Sequence, residues 1–394
     1  VRSALWLAQV FPRRPGDPFG SFLLRLAREM PARGWDITVV APGDEGAPAR
    51  GDLDGVHVVR FDPAACGAEG LAYRGEMHRA ALRRPAAFLR FLGAFRDAAR
   101  QALGEVRPAL VHAHWWAPSG WIARRVAPDA GVPWVVSLHG TDVRLVRRWR
   151  PVRLVARRVL ASADAVLPVS EALDREVARW GVAAARRKIL PMPADGDLFH
   201  PAPAPDADEG PPRFVVVARL TRQKRIADVV EALHRRRDAG PPIALDVVGD
   251  GPERPRLEAS VRRRGLTGRV TFHGLLPIER LPALYQRSRA VVLPSEEEGY
   301  GLAVIEGALC GIPAVVARSG ALVELVEHER TGLLVPVGDP GALAGALGRL
   351  AADPALAARL GETARAQALA RTAAPQAERL AGVYGRVVQD FAKR

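Results

Sequence analysis

The sequence predicts an α/β protein built from two doubly wound domains that face each other across a cleft. Three observations carry this. The chain has 394 residues, more than one ordinary core accommodates. Its first half alternates short apolar runs with amphipathic stretches, the pattern of a parallel sheet covered on both faces. After a break rich in Pro, Asp and Ala, the same alternation starts again.

In the first half, strands are expected at Ala4–Val10, Asp36–Ala41, Leu110–His112, Trp134–Leu138 and Ala165–Val169. The opening run ALWLAQVF is short and followed by Pro-Arg-Arg, so it reads as a buried strand and not as a signal peptide. Ser21–Ala32 places Phe22, Leu23, Leu26 and Met30 on one side of a helix. Asp195–Arg213, DGDLFHPAPAPDADEGPPR, has no apolar period and reads as an interdomain linker. Beyond it, strands are expected at Phe214–Ala218, Ala244–Val248, Val270–His273, Ala290–Leu293 and Ala314–Val316. Helices are expected at Ala227–Arg237, Pro282–Arg287, Gly301–Leu309, Ala342–Ala351 and Pro354–Ala370.

Composition bounds the function. The formal charge is +14, from 57 Lys+Arg against 43 Asp+Glu, and Arg supplies nearly all of the positive side. An Arg-rich genome explains this, as does an anionic substrate, membrane surface or nucleic acid. Nucleic acid is disfavoured, because the arginines are scattered, no recognition motif appears and aromatics are only 6%. No apolar run approaches the ~20 residues that span a bilayer. Cys66 and Cys310 lie far apart and form no disulfide framework or zinc spacing, so a cytoplasmic location is expected. Arg83–Arg100 and Arg144–Leu160 mix Arg with Phe, Leu, Val and Trp. Such segments either pack their apolar side on the sheet or make a peripheral contact with an anionic membrane.

The chemistry concentrates in Ser295–Pro313, SEEEGYGLAVIEGALCGIP. With Ala290–Leu293 as a strand, Glu298 falls in the loop at its carboxyl end, where doubly wound sheets bind ligands. Glu306 falls about one turn into the helix that starts at Gly301 or Leu302, among Ala303, Val304, Ile305, Ala308 and Leu309. Gly299 and Gly301 let backbone N–H groups approach a ligand, and the helix N-terminus suits phosphate. The stretch reads as a site for an elongated, phosphate-bearing ligand with hydroxyls. The alternative is a charged loop and a tolerated helix glutamate.

Four further elements fall in loops at strand ends. Arg219 and Lys224, in VVVARLTRQKR, can hold a diphosphate and offset charge as a bond to it breaks. VVGDGP, Val247–Pro252, is a tight glycine turn without a third fingerprint glycine, so it argues little for a dinucleotide. His139, in VSLHGTDVR, is a satisfied structural residue or a cleft group that contacts a sugar. Asp142 can orient it or bind an acceptor. Gly20, in DPFGSF, precedes the first helix, where N–H groups can meet a phosphate or acceptor. Asp52-Leu-Asp54, Asp195-Gly-Asp197 and Asp206-Ala-Asp208 match the D-x-D of metal-dependent transferases, but none directly follows a convincing buried strand in a nucleotide domain.

In order and spacing, these elements resemble the retaining glycosyltransferases of family 4, which have the GT-B fold of two Rossmann-like domains. The resemblance runs through His112-Ala-His114-Trp115, LHGTD, ADAVLPVSEAL, the Arg219/Lys224 pair, VVGDGP, FHGLL, the glutamate pair and TGLLVPVGDP. It implies an N-terminal acceptor-binding domain over 1–197, with a C-terminal helix at about 375–394 packing back on it, and a donor-binding domain over 198–374. It implies that Glu298 contacts the donor sugar, Glu306 the nucleotide ribose, Arg219 and Lys224 the diphosphate, and His139 the donor sugar. Gly20, Gly251, Leu275, Gly299, Tyr300, Gly301 and Leu302 complete the implied donor site, with Asp142 toward the acceptor. A UDP- or GDP-sugar donor, a hydroxyl acceptor of unknown identity and no cofactor or metal are expected. Rival readings are an epimerase or phosphorylase of the same shape. The family's Pro-Asn-Gly-Val-Asp appears here as Pro191-Met-Pro-Ala-Asp195, and its usual Glu-Ala as Glu306-Gly307.

Overall fold

The structure is a computed structural model. It describes the chain apart from Pro18, Trp149 and residues 45–46, 65–70, 74–76 and 203–209. Cys66 and Asp206-Ala-Asp208 therefore lie outside the described residues, as do parts of the expected linker, of DPFGSF and of the second basic segment. The chain forms two compact units, Val1–Pro193 with Ala373–Arg394, and Ala194–Thr372.

Unit 1 has the strands β1 (Arg2–Ala8), β2 (Trp35–Pro42), β3 (Arg50–Leu53), β4 (Val56–Phe61), β5 (Leu110–His114), β6 (Trp134–Leu138) and β7 (Ala165–Pro168). They form one sheet in the order β3-β4-β2-β1-β5-β6-β7. All neighbours are parallel except β3 and β4. The crossovers reverse direction between β1 and β5, which makes the carboxyl ends of those strands a switch point for ligands. Apolar residues of β1 and β2 are fully buried because helices cover both faces.

The β3–β4 hairpin went unpredicted, although Asp54-Gly55 is a hairpin signal. Both residues take positive φ, 51° and 83°. Asp52 closes the turn by accepting the Gly55 N–H at 2.7 Å. The carboxylate of this first D-x-D thus serves a turn. Asp195 acts similarly, accepting N–H groups of Asp197 at 3.2 Å and Leu198 at 3.0 Å.

Helix Ala373–Phe391 belongs to unit 1. Its Tyr384 packs edge-on against Trp35, ring centroids 5.0 Å apart, and its hydroxyl lies 2.5 Å from His112 Nδ1. Helix Pro85–Val106 buries Ala87, Phe91, Phe95, Ala99, Ala102 and Leu103 in the same unit. Most of the apolar side of the first basic segment is therefore core, stacked in part on Phe61.

Unit 2 has β8 (Arg213–Val217), β9 (Ala244–Val248), β10 (Val270–Gly274), β11 (Ala290–Leu293), β12 (Ala314–Ala317) and β13 (Gly332–Val335). The sheet is wholly parallel, in the order β10-β9-β8-β11-β12-β13. Its switch point lies between β8 and β11. One expectation is corrected here. The stretch that opens the presumed linker is not a free tether, because Phe199 is buried against Tyr285. An aromatic side chain gains more from burial than a mobile linker could retain. Ala194–Pro201 thus belongs to unit 2.

Candidate functional site

The loops after β8 and β11 flank the switch point of unit 2, and they are laced together. Lys224 ends a short 3-10 turn after β8, and its Nζ lies 2.5 Å from Glu298 Oε2. Both side chains are largely buried. The Gln223 side-chain amide donates to the Glu297 carbonyl, and the Glu296 N–H donates to the Gln223 carbonyl at 3.0 Å. The loop after β12 joins them, through Ser319 Oγ to the Ser295 carbonyl at 2.6 Å and the Ala321 N–H to the Glu298 carbonyl at 3.0 Å. Arg219 lies in the β8 loop with its side chain exposed. Lys224 and Glu298 are thus brought into direct contact, and Arg219 stands beside them in sequence but toward solvent.

Helix Leu302–Leu309 starts from Gly301, whose φ of 96° is a left-handed conformation suited to glycine. Glu306 sits about one turn in and is only 5% exposed. An ionised carboxylate at such a place needs hydrogen bonds. Tyr285 supplies one, its hydroxyl donating to Glu306 Oε2 at 2.9 Å. Tyr300 is buried, so its ring helps support the loop from inside.

The glycine turn after β9 has a packing role. A Cβ at Gly249 would stand 2.0 Å from the Ala218 carbonyl oxygen, and one at Gly251 would stand 2.4 Å from that of Leu220. The Leu220 N–H donates to the Asp250 carbonyl at 2.9 Å, so the β8 and β9 loops touch backbone to backbone. Gly251 allows this contact whether or not a ligand is present. After β10, Leu275 is 66% exposed, a large apolar side chain at the rim of the same strand ends.

In unit 1, Gly20 caps helix Ser21–Glu29 with φ 75°, and a Cβ there would meet the Val10 carbonyl oxygen at 2.9 Å. His139 follows β6. Its ring packs on Trp115 and Phe22, centroids 4.5 Å and 5.2 Å away, and its Nε2 lies 3.4 Å from His114 Nδ1. Burial lowers the His139 pKa to about 3, so the ring is neutral. Burial likewise holds His112 and His114 well below the usual histidine range. Asp142 meets His139 at its backbone and not at its ring. Its Oδ1 accepts N–H groups of His139 at 3.2 Å, Gly140 at 2.9 Å and Val143 at 3.0 Å. Oδ2 is buried and has no hydrogen-bond partner among the described residues, and burial raises the carboxyl pKa to about 6. Sequence reasoning missed Gln223, His114 and Tyr285 as members of these clusters. No local signal marked Tyr285, whose partner lies 21 positions away.

Comparison with known proteins now bears on this geometry. Residues 20–193 match the glycosyl transferase 4-like domain, and residues 202–367 match glycosyl transferases group 1. The chain belongs to the family 4 glycosyltransferases. It is 30% identical to the glycogen synthase of Mycobacterium tuberculosis over 266 residues, 66% of this chain and 64% of that one. The matched stretch thus spans just under two thirds of that relative. It is 33% identical to the GDP-mannose-dependent alpha-(1-6)-phosphatidylinositol monomannoside mannosyltransferase of Mycolicibacterium smegmatis over 255 residues, 60% of this chain and 65% of that one. Among solved structures, sucrose-phosphate synthase from Thermosynechococcus elongatus superposes with a TM-score of 0.83 at 25% identity, covering 100% of both chains.

Gly307 follows Glu306 directly in the same helix. Here a Cβ would stand 2.2 Å from Val291 Cγ2. The glycine lets the helix bearing Glu306 lie close on β11.

Proposed function

We propose that the protein is a retaining glycosyltransferase that moves a sugar from a nucleotide diphosphate sugar to an acceptor hydroxyl. The observation that carries this reading is the Lys224–Glu298 pair at the switch point of unit 2, with Glu306 one turn into the helix that follows. Arg219 and Lys224 take the diphosphate, Glu298 the donor sugar and Glu306 the ribose. Backbone N–H groups from Gly299 to Leu302 and the helix N-terminus add partial positive charge. In unit 1, His139 is a neutral ring whose backbone N–H is held by Asp142.

In the reaction the bond from the anomeric carbon to the phosphate oxygen breaks. The bond to the acceptor oxygen forms on the same face, and the leaving phosphate takes the acceptor proton. Negative charge grows on the diphosphate, where Lys224 and Arg219 stabilise it without a metal ion. The donor is a UDP- or GDP-sugar, and the GDP-mannose in the name of one relative supports a donor of this class.

Product analysis tests the reading. Incubated with an α-linked donor, the protein should release nucleoside diphosphate and pass on an α-linked sugar, observable by NMR. A new sugar still attached to its nucleotide would instead indicate an epimerase. Dependence on inorganic phosphate would indicate a phosphorylase.

The reading extends to a cytoplasmic enzyme in peripheral contact with an anionic membrane. No helix among the described residues is long and apolar enough to cross a membrane. Leu82 and Leu89 are 66% and 68% exposed at the meeting of two helices, beside the exposed Arg83 and Arg90. Sedimentation with anionic vesicles at low salt, lost in the Leu82→Ser/Leu89→Ser variant, is the expected result. Failure of the unaltered protein to sediment would remove the membrane contact.

A further inference from the structure

Glu306 is a carboxylate on a helix otherwise made of small and apolar residues, and a hydroxyl from outside that helix reaches it. The hydroxyl that reaches it belongs to Tyr285, at the end of the short helix Leu281–Gln286. Tyr285 is fully buried, and burial together with the Glu306 charge raises its pKa well above the tyrosine range. Its hydroxyl therefore keeps its proton and serves as a donor. Cys310, four residues after Glu306, is pushed up to about 12 by burial and by the same carboxylate, so it stays a neutral thiol.

Tyr285 is itself held by the segment that enters unit 2. The Phe199 ring packs edge-on against it, with centroids 5.8 Å apart and an interplanar angle of 73°. One residue on, the His200 carbonyl accepts the side-chain amide of Gln286 at 2.7 Å. Two successive residues of the entering segment thus grip two successive residues of the helix that carries the hydroxyl.

We propose that Tyr285 is a positioning residue for the nucleotide site, aiming the Glu306 carboxylate at the ribose hydroxyls, and that Phe199 holds Tyr285 in place. The proposal rests on the reading of Glu306 as the ribose ligand. Its consequence is selectivity for ribonucleotides: a carboxylate kept in one orientation gains from the 2′-hydroxyl, and one free to rotate gains less.

The test measures Kd by calorimetry for UDP and GDP and for their 2′-deoxy counterparts, on the unaltered protein and on Glu306→Gln, Tyr285→Phe and Phe199→Leu. Melting curves confirm that each variant folds. The unaltered protein should prefer the ribonucleotide it binds by about tenfold or more, the scale of one hydrogen bond to a charged group. Glu306→Gln and Tyr285→Phe should both lose most of that preference, and Phe199→Leu part of it. If Glu306→Gln loses the preference and Tyr285→Phe keeps it, Tyr285 is merely structural and the proposal falls while the ribose role stands. If the unaltered protein does not distinguish the two sugars, or binds neither nucleotide, the ribose reading fails and takes the proposal with it.

Discussion

Lys224 Nζ lies 2.5 Å from Glu298 Oε2, so the cation assigned to the diphosphate is already held by the carboxylate assigned to the sugar. The pair links two loops from strands adjacent in the sheet and distant in sequence. Pre-positioning of this kind is what electrostatic catalysis requires, because the charge need not reorganise as the bond breaks. Lys224→Ala should raise the barrier by about 2–4 kcal/mol, a loss of roughly 30- to 1000-fold in kcat. Steady-state kinetics with a saturating donor checks this, and near-normal kcat would remove Lys224 from the mechanism.

If the pair acts as a unit, Glu298→Gln should not add its full cost to that of Lys224→Ala. Contacting residues in such networks couple by about 0.5–3 kcal/mol. A double-mutant cycle on kcat/KM measures the coupling, and strict additivity would show that the contact has no catalytic weight.

Gly307→Ala should destabilise this chain. The added methyl must displace Val291 Cγ2, 2.2 Å away, and overpacking of this kind costs about 1–3 kcal/mol. A lower urea midpoint is expected. The double variant Gly307→Ala/Val291→Ala should recover part of the loss.

Acid should destabilise the protein through unit 1. His139, lowered to about 3, and His112 and His114, also lowered, bind protons more tightly when unfolded. Their stabilising effect is present above the unfolded value near 6.5 and is lost as pH falls below it. Asp142, raised to about 6, acts with the opposite sign: folding binds its proton, so its contribution falls as pH rises from about 4 to about 6. Three groups oppose one, and the net expectation is a lower Tm at pH 5 than at pH 7.5. Asp142→Asn should steepen that fall, because it removes the opposing group. A Tm independent of pH across this window would contradict the burial of the histidines.

With the charge neutralisation assigned, as proposed, to Lys224 and Arg219, turnover should persist in excess chelator. Loss of activity, restored by added magnesium or manganese, would overturn the metal-free mechanism.

The local signals in the sequence were good guides to local structure. The alternation of apolar runs located the parallel strands that build both switch points, and the loop glutamate before Gly-Tyr-Gly landed at one of them. What the sequence did not disclose depends on distant partners. Tyr285 looks like any apolar helix residue until the fold sets it against Glu306, 21 positions away. Lys224 and Glu298 are 74 positions apart, and nothing local announces their contact. Phe199 was obscured by its Pro-rich surroundings, which suggest a tether even though one buried ring anchors the stretch. The glycines of VVGDGP were legible as a turn but not as the point where two loops meet backbone to backbone.

The most direct test of the central claim is thermal stabilisation by UDP, GDP, ADP and dTDP, on the unaltered protein and on Lys224→Ala. At 100 times its dissociation constant a ligand adds about 2.7 kcal/mol to stability. The account predicts a clear rise in Tm with one nucleoside diphosphate, without magnesium, and a much smaller rise in the variant. No rise with any of the four, or an equal rise in Lys224→Ala, would contradict the assignment of the diphosphate to this site.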